Sequence, residues 1–114
     1  MVSFDTVRKI ALSFPETDEY MHFDLPAFRV KKKKIFCTIH EKNKRVMVKL
    51  SPTDQSVFCA FDKTVIYPVP GGWGRGGATF IELSTVKKVM LKDAITMAYC
   101  TTAPPKLAEK YWPK

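Results

Sequence analysis

Pro68-Val69-Pro70-Gly71-Gly72-Trp73-Gly74-Arg75-Gly76-Gly77 contains all five glycines of a 114-residue chain. Glycine tolerates positive φ and lets a second backbone or a ligand come close, so this concentration marks one unusual loop in an otherwise glycine-free sequence. Val65-Ile66-Tyr67 before it and Ala78-Thr79-Phe80-Ile81-Glu82-Leu83 after it carry the β-branched and aromatic residues of strands. The loop therefore joins strand to strand, which limits what it can be. Gly72 to Gly77 matches G-x-G-x-x-G, yet in dinucleotide-binding folds that motif leads into a helix whose N-terminus holds the pyrophosphate. A Walker loop fails too, because no Lys-Ser/Thr follows the last glycine. The expectation is a turn whose glycines serve backbone geometry while Trp73 covers the edge of the core. Arg75, unhindered between glycines, suits phosphate or carboxylate, or an acid of its own domain such as Glu82 or Asp24.

Upstream, Ser51-Pro52 reads as N-cap and first residue of a helix with Asp54 in its first turn and Val57, Phe58 and Phe61 facing inward. Before it, alternation predicts a β-meander. Phe28 and Val30, then Ile35, Cys37 and Ile39, then Val46, Val48 and Leu50 fall on one face. Arg29, Lys31, Phe36, Thr38, His40, Arg45, Met47 and Lys49 fall on the other, which makes that face basic with one central phenylalanine. The opposite register would bury Arg29, Arg45 and Lys49 together at great cost. At the N-terminus, Ser3 caps a helix with Phe4, Val7, Ile10, Ala11 and Phe14 on one stripe, ended by Pro15. Glu16 to Glu19 then reads as an acidic turn, and Tyr20 to Asp24 as a short strand interrupted by Pro26. Downstream, Ser84 or Thr85 opens a long helix with Val86, Met90, Leu91, Ala94, Ile95, Ala98 and Tyr99 on its apolar side, and Lys106 to Trp112 forms a short helical tail. The predicted architecture is α+β: a compact single domain over residues 1–114, with helices and an antiparallel β-meander around one core.

Composition agrees with one core: 46% of residues are apolar and 12% aromatic. The longest apolar run, Val57-Phe58-Cys59-Ala60-Phe61, falls far short of the roughly 20 residues a membrane-spanning helix needs. Arg8 and Lys9 precede any signal-type apolar region, so a soluble cytoplasmic protein without a membrane partner is expected. Cys37, Cys59 and Cys100 are odd in number and lie in apolar surroundings, which favours buried thiols over a disulfide framework. His22 and His40 stand at no metal-ligand spacing to a cysteine, so neither a metal nor another cofactor is expected.

The net charge of +8 is concentrated. Arg29 to Lys49 holds nine Lys or Arg against Glu41 alone, an excess equal to that of the whole chain. A localised basic face points to an anionic partner, and an exposed aromatic on it offers stacking. The candidate nucleic-acid-binding residues are Arg29, Lys31, Lys32, Lys33, Lys34, Arg45, Lys49, Trp73 and Arg75, although a lysine run is also the ordinary composition of a solvated hairpin tip. Ser51, Ser56 and Ser84 lack evident histidine and carboxylate partners, so a non-enzymatic domain, read as a monomer, is the first expectation. The alternatives are a small anionic ligand or substrate held by Arg75 and Lys49 in a cleft, and a module for an acidic protein partner.

Pro26-Ala27-Phe28-Arg29, Val48-Lys49-Leu50 followed by Ser51-Pro52, the Gly72-Trp73-Gly74-Arg75-Gly76-Gly77 loop, and Ala98-Tyr99 leading to Ala103-Pro104 together resemble the MmcQ/YjbR family across nearly the whole chain. The resemblance implies a CyaY- or frataxin-like fold, an antiparallel sheet with helices packed on one face, and DNA binding through a double-wing arrangement, with Arg29, Lys49, Trp73 and Arg75 on the family's recurring positions. The Lys31 to Lys34 run is not among its marks. Frataxin-like folds suggest iron, but they use an acidic helix, whereas helix one here sets Asp5 beside Arg8 and Lys9.

Overall fold

A computed structural model describes residues 1–112 of the chain. Six strands form one antiparallel sheet: β1 (Thr17–His22), β2 (Leu25–Val30), β3 (Lys34–His40), β4 (Arg45–Lys49), β5 (Ile66–Pro68) and β6 (Ala78–Glu82), in the spatial order β1-β2-β3-β4-β6-β5. The helices are α1 (Phe4–Leu12), α2 (Pro52–Cys59), the single turn α3 (Gly72–Arg75), α4 (Lys88–Thr102) and the single turn α5 (Pro105–Ala108). The α+β single-domain expectation is met.

The caps read from sequence are present. Ser3 Oγ accepts from the Thr6 amide at the start of α1, and Ser51 Oγ accepts from the Asp54 amide at the start of α2, with Pro52 where its missing N–H costs nothing. Val7, Ile10 and Ala11 of α1 and Leu91, Ala94, Ile95, Ala98 and Tyr99 of α4 bury their stripes against the sheet residues Phe28, Cys37, Ile39, Val46, Val48 and Ile81. Fully burying such a side chain is worth about 1.5–3 kcal/mol, so this layer is the main source of stability.

Five expectations need correction. Thr17, Asp18 and Glu19 lie in β1, because pairing with Val30, Arg29 and Phe28 outweighs their turn-like composition. Pro26 sits within β2 opposite Met21, one residue outside the ladder to β3, which begins at Ala27. Its missing N–H thus falls where β3 has not begun to pair. On α2 only Phe58 and Gln55 turn inward, while Val57 and Phe61 are exposed. The long helix begins at Lys88, after a turn in which Val86 is already buried.

The fifth correction concerns Phe36. Phe28 opposes Cys37, but Arg29 opposes Ile35, so Phe36 is the extra residue of a β-bulge. Below the bulge the alternation is as expected; at it, two neighbours turn to the same side. Phe36 is fully buried between Phe14 and Tyr99, edge-on to both, and Ile35 takes the opposite face.

Candidate functional site

The glycine loop is held by close backbone contacts. A Cβ on Gly74 would stand 1.8 Å from the Val69 carbonyl oxygen, and one on Gly77, whose φ is +111°, would stand 1.8 Å from that of Leu50. Both positions therefore require glycine. The Gln55 amide nitrogen lies 2.8 Å from Gly74 O, 3.1 Å from Ala78 O and 3.1 Å from Thr79 Oγ1. The Thr79 hydroxyl in turn donates to Gly77 O at 2.9 Å, so a buried polar chain ties α2 to the loop and to β6. One consequence is the position of Trp73: α3 presents it outward at 76% exposure, and it does not cover the core edge.

Trp73 borders a groove of about 500 Å³ on the sheet face that the long helices leave open. Its floor is Ile35, Thr38, Met47, Ala78 and Phe80; Leu25, His22, His40 and Val69 complete it, and Phe23, 86% exposed, stands with His22 toward the other end. Lys49 is the only Lys, Arg, Asp or Glu among these residues. Strand register separates the ends. Lys49 opposes Ala78 near Trp73 and the β2-β3 tip, whereas His40 opposes Arg45 near the β1-β2 turn and the Glu41–Asn43 turn. Exposed cations flank both ends: Lys31 to Lys34 at the first, Lys42 and Lys44 at the second.

The predicted site residues divide into two groups. Arg29 forms a two-nitrogen ion pair with Asp18 at 3.0 Å and lies over the Tyr20 ring at 3.9 Å. Arg45 lies on Phe80, its guanidinium carbon 3.8 Å from the ring centroid, and donates to Tyr67 Oη at 3.1 Å. These two arginines are engaged within the domain, so the face is not the continuous basic surface that alternation suggests. Lys31 to Lys34 are exposed, Lys49 donates to Gly76 O at 3.3 Å beside the groove, and Arg75 is exposed without an ion pair among the described residues. Lys49 and Arg75 flank the same turn, but Arg75 folds toward Gly72 and does not line the groove. Glu82 and Asp24 are therefore not its partners.

Sequence reasoning missed Phe23, Phe80 and Gln55. Phe23-Asp24 stands between Tyr20-Met21-His22 and Leu25 as a two-residue hairpin turn, and both residues adopt positive φ, +49° and +64°. The absence of Asn or Gly hid it. Lys31 and Lys32 do the same at the next tip, with φ of +51° and +56° and the Lys33 amide donating to Val30 O at 3.0 Å.

Electrostatics follows the geometry. The Arg29 hydrogen bond holds the Asp18 carboxyl below its ordinary pKa. Burial, and then the charge of Arg45, lowers His40, whose Nε2 is 3.0 Å from Thr38 Oγ1. Burial and the hydrogen bond to Glu82 raise Tyr67. Burial pushes the Cys37 thiol up to about 12, so it is an inert core residue. Among the described residues, no three His, Cys, Asp or Glu side chains gather where they could hold one metal ion.

An antiparallel sheet with its long helices on one face and a glycine-sealed turn beside the other defines a compact α+β class. The YjbR family model matches residues 12–101, and the chain belongs to the YjbR family. Among solved structures, the Deinococcus radiodurans protein DR2400, with a DUF419 domain, is similar at a TM-score of 0.79 and 16% identity, over 97% of this chain and 88% of that one. At that identity the likeness concerns the fold. No curated protein matches the chain. No helix is long and apolar enough to cross a membrane among the described residues.

Proposed function

We propose that this domain is a non-enzymatic nucleic-acid-binding protein that holds the polymer along the open sheet face. The observation carrying this reading is the groove between exposed Trp73 and Phe23, in which Lys49 is the only formal charge, with Lys31 to Lys34 and Arg75 beyond one end and Lys42 and Lys44 beyond the other. Cations placed this way neutralise successive phosphates and release counterions, while the apolar floor receives bases. Arg29 and Arg45 support the face by their internal contacts and do not touch phosphate.

Fluorescence anisotropy with labelled DNA and RNA over a salt series tests this. Micromolar or tighter binding that weakens steeply with salt is expected; absent or salt-insensitive binding overturns it. Lys32→Gln and Lys49→Gln each lower the logarithmic salt slope by about one, and Arg29→Gln leaves it unchanged.

The groove's volume, about 500 Å³, also falls within the small-molecule range and favours one second reading, an anionic ligand with an apolar body paired to Lys49. In that case a small anion raises the melting temperature without any polymer, and Lys49→Ala abolishes the shift.

A further inference from the structure

We infer that the occupant of the open face is a single strand, with unpaired bases stacked on Trp73 and Phe23, a step that rests on the nucleic-acid reading above. The first argument is the distribution of charge. A duplex offers phosphates and groove edges and hides the faces of its bases, so it is recognised by a broad array of cations. Two cations that would build such an array here are withdrawn, Arg29 by Asp18 and Arg45 onto Phe80. What remains is an apolar floor with Lys49 alone inside it and lysines beyond its ends. That pattern complements a chain whose bases face the protein and whose phosphates run past the rim.

The second argument comes from the two aromatics. Trp73 is 76% and Phe23 86% exposed, at opposite ends of the same groove. Phe23 also occupies a left-handed turn position at φ +49°, where Asn or Gly is favoured and a bulky side chain is disfavoured. A residue costly both to the backbone and to hydration stands at the mouth of an apolar groove, which is where a stacking platform belongs. Trp73 is displayed by a turn fixed by close backbone packing at Gly74 and Gly77 and by the buried Gln55 amide on Gly74 O, so its ring is presented on a rigid support.

The experiment uses the full chain carrying Trp112→Phe, so that fluorescence reports Trp73 alone. A mixed-sequence oligonucleotide, the same strand annealed to its complement, and inorganic polyphosphate are titrated at one salt concentration. The single strand is expected to quench Trp73 and to bind about tenfold or more tightly than the duplex, and polyphosphate to bind without quenching. Read by the anisotropy of a labelled strand, Trp73→Ala and Phe23→Asn each weaken single-strand binding by about fivefold or more, the lower limit for one lost stack, and leave duplex affinity unchanged. Asn suits the turn, so Phe23→Asn keeps the fold, which the melting temperature verifies for both variants. Equal affinity for strand and duplex, or variants without effect, overturns the single-strand inference while the nucleic-acid reading stands. No binding to either overturns both, as does a dimer in sedimentation that shields Trp73 and excludes oligonucleotide.

Discussion

Gln55 Nε2 stands 2.8 Å from the carbonyl oxygen of Gly74, nineteen residues further along the chain, and this one contact joins the interior of α2 to the turn that displays Trp73. The same nitrogen lies 3.1 Å from both Ala78 O and Thr79 Oγ1, so its two N–H groups are shared among three buried acceptors. Gly74 O and Ala78 O keep the Gly77 and Val69 amides as donors, so Gln55→Leu removes the amide's own bonds and is expected to destabilise the domain by about 1–3 kcal/mol, two hydrogen bonds at about 0.5–1.5 kcal/mol each. Urea denaturation checks it; a loss within about 0.5 kcal/mol, the range of ordinary surface substitutions, would show that water replaces the amide at little cost.

The glycines of the loop are not equivalent. Gly77→Ala drives a Cβ into Leu50 O at positive φ, and a cost of about 3 kcal/mol or more follows. Gly76→Ala meets nothing closer than 3.5 Å and should change stability by less than about 1 kcal/mol. Thermal melts of the two variants side by side decide whether the loop's composition reflects backbone contact or another demand.

His40 predicts an acid-sensitive fold. Its folded pKa is lowered by burial and by Arg45, so the unfolded chain binds the proton more readily than the folded one. Stability is therefore full above an ordinary histidine pKa of about 6.5 and declines as pH falls below it. His40→Gln should flatten the melting temperature between about pH 7.5 and about pH 5. Asp18 acts in a separate window: its folded pKa is lowered from 3.8, so its contribution is present above that value and lost on further acidification. A wild-type melting temperature that stays level from neutral to mildly acidic pH contradicts the assignment of His40.

At the β1-β2 turn, Phe23→Asn combined with Asp24→Gly places preferred residues at both positive-φ positions. It should raise stability by about 1 kcal/mol while weakening single-strand binding. A gain in stability without loss of binding would remove Phe23 from the site.

Much of this architecture was legible before the structure. Periodicity located α1, α2, α4, β2 to β6 and the second half of β1, and the Ser3 and Ser51 caps were visible because capping is local chemistry. What escaped depends on distant partners. Asp18 reads as turn material until Arg29 is set across from it, and Gln55 is an unremarkable helix residue until the loop folds back over it. The basic residues were found individually, but alternation cannot distinguish a cation facing solvent, such as Lys32, from one engaged as Arg45 is with Phe80 and Tyr67. Phe23 was missed because exposure is a property of the assembled surface, and Phe80 because its place under Arg45 is set only when β4 and β6 pair.

The bulge at Phe36 makes β3 a wave with a slipped phase. A substitution scan along this strand should register heavy stability losses at Phe36, Cys37 and Ile39, and tolerance at Ile35 and His40. The two-residue rhythm thus breaks once, where the lysine tip joins the groove. That break uncouples the two: the tip can be recharged while the half-cycle at Phe36 keeps every side chain beyond it in step.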